Sequence, residues 1–529
     1  MPALSKFLHF ARRFAFPKCK HGEVHAVQAA AQCPHRWPLD MPLLTWRDGE
    51  PPFRLSDAVC GLHVWGVTGS GKSLGTIFTV ANSYLANGFG AVFLTAKPTD
   101  AATYLDFARR CGREKDVVLL GPRHPATFSF LNEAARGGAG LVANVTSMLS
   151  LVSNLALGAQ GGGESNGGNG GREDGSYWVR MEMQLTTCCA ELLMLAGEPV
   201  TTINIERLVT SMPSSLDEAN SEGWQRGSYL YDCLRRADEH ATDPEDREDL
   251  RRLLEYFAKF MPSLSEKTRS TVASTVLATC DSFNRQLTRR LIGSPAPTFD
   301  MDMLLDGKVL IVDMDVLTFG ALARVVQVTM KECFHLAMNR RDTAANSRPV
   351  MLCADESQMT VDLSRDASFQ TTARASRACV VYATQSISNY LSEHGQASEA
   401  RTHALLGNFV TQVFHNSTDP KMIEYAQSLG GRRKTLFMSG GTQQQPAPPG
   451  EWVSAALGFG QASTASAGFS EQFAPLVEAS DFHALAKGGP QSDWIIEALI
   501  TAGGRTWNTT GSPFLPVRFQ QERPRVHHA

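Results

Sequence analysis

Leu62-His63-Val64-Trp65-Gly66-Val67-Thr68-Gly69-Ser70-Gly71-Lys72-Ser73 is the stretch that decides the fold. A short, mostly apolar run leads into a glycine-rich loop, and the loop opens into a segment with helical periodicity from Leu74 to Leu85. Strand, glycine loop and helix, in that order, are the setting a phosphate-binding loop requires. Gly66, Gly69 and Gly71 let backbone N–H groups close around phosphates at the positive end of a helix, with Thr68 and Ser70 completing the loop. Lys72 is placed to reach the terminal phosphates, and the Ser73 hydroxyl to hold magnesium. The expected ligands are ATP and Mg2+.

A nucleoside triphosphatase also needs acid at the end of another buried strand. Two apolar runs offer it, Val309 to Asp313 and Val350 to Glu356. The second ends in tandem carboxylates, which suits a division of labour: Asp355 for the metal and Glu356 as the base that polarises the attacking water. Asp313 has no acidic neighbour on that side and reads as a strand-end cap. Gln385 closes a further apolar run, Ala378 to Thr384, from which its amide is placed to reach the terminal phosphate.

Working outward, 529 residues suit two or three domains, and 43% hydrophobic with 19% charged residues supplies large cores and excludes global disorder. Fifty Lys+Arg against 53 Asp+Glu leave a net charge of -3, so contact with nucleic acid would have to be local. Eleven scattered cysteines are an odd number and not a disulfide framework, which indicates a reducing compartment. No run is long and apolar enough to span a membrane, so the expectation is a cytoplasmic protein, peripheral at most. Residues 1–52 form an N-terminal extension whose first sixteen residues have a basic amphipathic pattern, and Pro34 to Pro52 reads as a loop. Cys19, His21, His25, Cys33 and His35 are zinc-binding residue types without paired spacing, and a metal there stays open. Residues 157–175 are a Gly-rich flexible loop. Residues 176–292 have helical periodicity throughout, with Leu185, Cys189, Leu192, Leu193 and Leu195, then Leu250, Leu253, Leu254, Phe257 and Phe260 as the expected core. Ser439 to Ala467 reads as a surface excursion, and Arg432-Arg433-Lys434 as a solvated turn with a weaker claim to phosphate contact.

Taken together, the loop Gly66–Ser73, the Asp355-Glu356 pair, Thr372 to Arg377 leading into Val380 to Ser386, and Leu406 to Gly431 resemble the type IV secretion coupling proteins. These are the TraD/TraG-type conjugative ATPases of the FtsK/HerA group. The resemblance spans roughly Ala58 to Phe519. It implies a RecA-like P-loop α/β motor with a parallel central sheet, built from strands near 62, 91, 309, 350 and 380 and from residues 53–150 and 293–529, with the all-α segment inserted. It further implies a homo-hexamer in which Arg374, eleven residues before Gln385, completes the ATP site of the neighbouring subunit; Arg377 stands where the family has a small residue. DNA as cargo, relaxase and relaxosome proteins, and inner-membrane components of the secretion system are the implied partners. Two departures stand out. This sequence shows no counterpart of the two transmembrane helices with which family members commonly begin, so the expectation is a chain with no integral membrane anchor. Thr95-Ala96-Lys97 lacks the acid that the family carries before the lysine, and Lys97 is given no role. The rival readings are a motor of the same fold for protein effectors or chromosomal DNA, and a non-hydrolysing ATP-binding platform that recruits relaxosome proteins.

Overall fold

The computed structural model describes residues 24–26, 37–136, 142–158, 172–394, 398–444 and 463–522. The amphipathic pattern of residues 1–16, most of the Cys/His group and the centre of the Gly-rich stretch therefore lie outside the described residues.

Each apolar run named above forms a strand. The strands are β1 Leu62–Trp65, β2 Gly90–Leu94, β3 Val117–Leu120, β4 Val309–Val312, β5 Val350–Ala354, β6 Ala378–Thr384, β7 Thr411–Phe414, β8 Ile495–Ala502 and β9 Phe514–Gln520. They make one nine-stranded sheet in the order β9-β8-β7-β1-β6-β5-β2-β4-β3. From β7 to β3 every neighbouring pair is parallel, whereas β8 and β9 extend the sheet antiparallel at the β7 edge. The sheet is thus parallel across its centre and mixed at one edge.

Successive strand residues point to opposite faces. Val64, Phe93, Ile311, Cys353 and Val381 accordingly enter one core while Trp65, Val92, Val312, Leu352 and Tyr382 enter the other. Burial on both faces is what made the central strands read as continuous apolar runs. The first core is roofed by α1 Phe78–Ala86, α2 Asp100–Arg110 and a small antiparallel sheet that includes Pro42–Thr45 and Phe53–Arg54. The expected loop from Pro34 to Pro52 is corrected here: Leu43, Leu44 and Trp46 are fully buried and belong to that roof. The second core continues into the helical segment.

Among the described residues of 176–292 the regular elements are helices. Their starts are written in the sequence: Thr201, Ser228, Asp243 and Ser265 each accept a hydrogen bond from the N–H three residues on, an exchange worth about 1 kcal/mol per cap. Leu185, Cys189, Leu192, Leu193, Leu250, Leu253 and Phe257 are buried as expected, but Leu254 and Phe260 are exposed. A π-turn over Tyr256–Phe260 adds a residue to the helical repeat and rotates Phe260 out of the apolar stripe. Helices extend into the ends of the Gly-rich stretch from both sides, α3 Val142–Gly158 and α4 Arg172–Leu195.

The segment leaves and rejoins the sheet through a stem. Phe128 N–H donates to Leu291 O (3.1 Å), Ser294 N–H to Phe128 O (2.9 Å) and Thr298 N–H to Thr127 O (3.0 Å), with Ser129 and Gly293 paired antiparallel. The stem closes at 129, ahead of the boundary near 150 drawn from sequence, because Phe130–Ala135 and α3 are already helical. Returning, the chain forms β4 and α5 Val316–Arg340, a helix kinked at Gly320 where the backbone leaves helical geometry (φ +55), then β5 and α6 Leu363–Thr372. The flanks of the expected excursion at 439–467 are strand instead: Arg432–Gln444 pairs antiparallel with Ser463–Pro475, and Arg432 to Lys434 open that hairpin rather than forming a turn. Among the described residues no helix is long and apolar enough to cross a membrane.

Candidate active site

Four parallel strand junctions aim β1, β2, β5, β6 and β7 the same way, so the loops after their C-terminal ends share one rim of the sheet. Ligands of open α/β sheets bind at that rim. The glycine loop stands on it. At Gly66 (φ +153) a Cβ would lie 2.5 Å from Ser70 Oγ and 2.8 Å from His415 Cβ, and at Gly71 (φ +90) it would lie 2.6 Å from Ile496 Cγ2. No other residue fits either place. After the loop a π-turn, Ser73–Ile77, runs into α1.

Three elements converge on the loop. The Ser73 hydroxyl donates to Asp355 Oδ2 at 2.6 Å, at the end of β5. Lys72 Nζ, buried, donates to Gly66 O at 2.5 Å and lies 3.4 Å from Val67 O. Burial lowers the Lys72 pKa, against the pull of Asp355 and Glu356. Glu356 adopts φ +53 with its carboxylate almost fully buried, a strained backbone for a non-glycine residue. Its Oε1 accepts from Gln385 Nε2 (3.2 Å) and its Oε2 from Gln358 Nε2 (3.1 Å), while Thr384 Oγ1 donates to Gln358 Oε1 (2.7 Å). Burial would raise the Glu356 pKa, but Lys72, the two amides and Lys97 outweigh it and hold the group below its usual value, ionised and fixed in direction.

The sequence reading missed four contributors. Gln358 anchors the base from within its own turn. Lys97, after β2, brings Nζ to 3.6 Å from Glu356 Oε1 and 3.9 Å from Asp355 Oδ2. His415, after β7, shares a hydrogen bond of 2.8 Å with Thr76 Oγ1, and burial, then Lys72, push its pKa down to about 3. Gln521 and the turn Lys487 to Gly489 wall the cavity from the antiparallel edge, joined by Gly489 N–H donating to Gln521 Oε1 at 2.8 Å. None of these has a local signature; each acquires its place by strand order. The cavity bounded by the glycine loop, Lys97, Asp355, Glu356, Gln521 and the Lys487–Gly489 turn measures about 550 Å³.

Asp313 stands apart, at the end of β4 with β2 between it and Asp355. Its carboxylate accepts from His124 Nε2 (2.7 Å) and pairs with Arg123 (3.3 Å), fastening the loop after β3. Arg374 lies exposed in the turn before β6, at the opposite end of that strand from Gln385. Seven strand residues at about 3.3 Å each separate it from its own glycine loop. Arg377 (φ +56) donates to Trp37 O at 2.9 Å.

Whether nucleotide and magnesium suit these residues is testable on the donor set. The Ser70 hydroxyl is buried in the loop with no hydrogen-bond partner among the described residues, and the Lys72 ammonium leans on carbonyls of the loop itself. An unspent hydroxyl, an ammonium and glycine N–H groups around one cavity match a polyphosphate. The adjoining Ser73 and Asp355 oxygens match a hard divalent cation.

No protein-family model and no curated protein matches the chain. Solved structures do. The plasmid coupling protein TrwB in complex with the non-hydrolysable GTP analogue GDPNP is similar at a TM-score of 0.52 with 15% identity, over 93% of this chain and 97% of that one. An unbound form of the bacterial conjugative coupling protein TrwBdeltaN70 gives a TM-score of 0.50 with 17% identity, over 89% and 87%. The fold is that of a RecA-like P-loop protein. The likeness runs through the helical segment as well as the sheet, since nearly all of both chains is covered.

Proposed function

We propose that this chain is an ATP-hydrolysing DNA motor, a coupling protein that delivers DNA or a relaxase–DNA complex to a type IV secretion channel. The observation that carries the hydrolytic part is the contact of Ser73 with Asp355 beside a Glu356 whose two oxygens are each held by an amide. The cargo follows from the likeness in fold to a conjugative coupling protein and from the motifs of the sequence.

In this reading Gly66, Thr68, Gly69, Ser70 and Gly71 cradle the phosphates and Lys72 neutralises the terminal ones. Ser73 and Asp355 hold Mg2+, which supplies charge stabilisation on the phosphate oxygens when bound. Glu356 orients water; as the water oxygen bonds to the terminal phosphorus and the bond to the bridging oxygen breaks, Glu356 takes the water proton. Gln385 senses the terminal phosphate. Arg374 acts in a neighbouring subunit, since its place at the far end of β6 suits a partner's site and not its own. A closed homo-hexamer supplies such neighbours, and attachment to the inner membrane runs through relaxosome and secretion partners.

The deciding experiment is the ATPase rate of the purified chain with and without single- and double-stranded DNA, with assembly followed by mass photometry. DNA-stimulated turnover in a ring is expected. Turnover indifferent to DNA would assign a protein cargo, and absence of turnover would leave a nucleotide-binding platform.

A further inference from the structure

Two carboxylates buried side by side, Asp355 and Glu356, need a cation to answer them. Lys72 serves that need incompletely, because its ammonium is bonded to loop carbonyls. Lys97 makes up the rest in an unusual way. Its Nζ lies 3.6 Å and 3.9 Å from the two carboxylates, beyond hydrogen-bond length, and its side chain is 40% exposed whereas theirs are 4% and 2%. The pair is loose and open to solvent on the lysine side, the kind of ion pair that exchanges partners at little cost.

The backbone under it is the reverse. Asp100 Oδ2 accepts from the N–H groups of Ala96 (2.9 Å) and Lys97 (2.8 Å). The buried Gln327 amide on α5 donates to Thr95 O (2.5 Å) and Met314 O (2.7 Å), and Thr95 Oγ1 donates to Val312 O (2.7 Å). Lys97 is therefore a loosely paired ammonium on a fixed backbone, and it lines the same cavity as Lys72 and Ser73.

We propose that Lys97 is a catalytic residue of this site, its ammonium passing from the Asp355–Glu356 pair to the terminal phosphate when nucleotide enters. This rests on the nucleotide-hydrolysing reading above. The exchange has a driving force in the residues themselves. Once Asp355 takes up a divalent cation, it no longer holds Lys97, and a polyphosphate in the cavity offers the ammonium a denser charge than a single carboxylate. Glu356 is then left with its two amide donors and a free approach for water.

Affinity for a non-hydrolysable ATP analogue relative to ADP, both with magnesium and measured by calorimetry, isolates contacts to the terminal phosphate. Lys97→Met should lower that ratio roughly 10- to 100-fold, the worth of one charge-assisted contact, with ADP affinity unchanged. Lys97→Arg should keep most of it, and Lys97→Gln gives the same reading should the methionine variant fail to fold. An unchanged ratio in a folded Lys97→Met or Lys97→Gln protein, including equal losses for both nucleotides, overturns the proposal. The ratio is a binding quantity, so it judges Lys97 even if the parent proves not to hydrolyse ATP, a result that would remove only the hydrolytic reading.

Discussion

Ser73 and Asp355 share a hydrogen bond of 2.6 Å across 282 residues of sequence. The contact joins the start of the first site helix to the end of β5, and it places the two oxygens that would share a divalent cation before any cation arrives.

Lys72→Ala should abolish ATP turnover, because neither Lys97 nor a backbone group can take its position in the loop. Glu356→Gln should differ in kind: ATP binding persists, hydrolysis slows by orders of magnitude, and trapped nucleotide is recovered unhydrolysed after gel filtration. Undiminished hydrolysis by Lys72→Ala, or greater damage from Asp313→Asn than from Glu356→Gln, would refute this assignment.

Gln358→Leu removes one of the two amides on Glu356 and strands the Thr384 hydroxyl. A lost bond to a charged group corresponds to about a tenfold or greater fall in kcat, with KM steady, since Glu356 acts after substrate is bound. A rise in KM at constant kcat would show that Gln358 shapes the pocket instead of steering the base.

Arg374→Ala and Lys72→Ala subunits, each inactive alone, should recover part of the activity when mixed. A mixed ring contains interfaces with an intact glycine loop on one side and an intact arginine on the other. Arginine fingers contribute about 10³- to 10⁵-fold, so even a small share of such interfaces is measurable. With mixing proven by pull-down of differently tagged subunits, activity at the single-mutant floor would exclude action in trans.

Folding stability should fall on the acid side of neutrality through two buried imidazoles. His63 and His415 are both held neutral, with pKa values lowered from 6.5 to about 3, by burial alone for His63 and by burial and then Lys72 for His415. The sign follows from linkage: the unfolded chain takes up protons first, so stability is full above about pH 6.5 and is lost as pH falls toward 3, by about 1.4 kcal/mol per pH unit for each histidine. Thermal melts between pH 6 and 5 should therefore decline more steeply for the parent than for His63→Gln. Parallel declines would show that His63 titrates normally in the fold.

What was legible in the sequence was whatever physics writes locally. The central strands β1, β2, β4, β5 and β6 announce themselves because both of their faces are buried, and the glycine loop because only glycine fits Gly66 and Gly71. The strand β7 was hidden by Gln412, a polar residue in the core whose amide accepts from Trp65 Nε1 (2.7 Å) and donates to Leu406 O and Phe409 O. β8 was broken by Glu497, which the fold satisfies with Arg518 of β9 at 2.9 Å. Lys97, Gln358 and His415 became members of the site through neighbours far away in sequence, a kind of information that residue type and spacing do not carry. Arg374 was named by resemblance, and within the single chain it lies at the end of β6 away from the glycine loop.

The order of strands bears on how the chain is made. The first three to be synthesised, β1, β2 and β3, have no partner among themselves: β1 lies between β7 and β6, β2 between β5 and β4, and β3 beside β4. Translation must pass through the whole stem-closed helical segment before Val309 arrives to join β2 to β3. Long-range parallel pairing of this sort folds slowly and leaves strand edges uncovered while it waits. On the ribosome the helical segment is complete first, and a chain released before Val309 carries three strands of the central sheet with no partner for them among themselves.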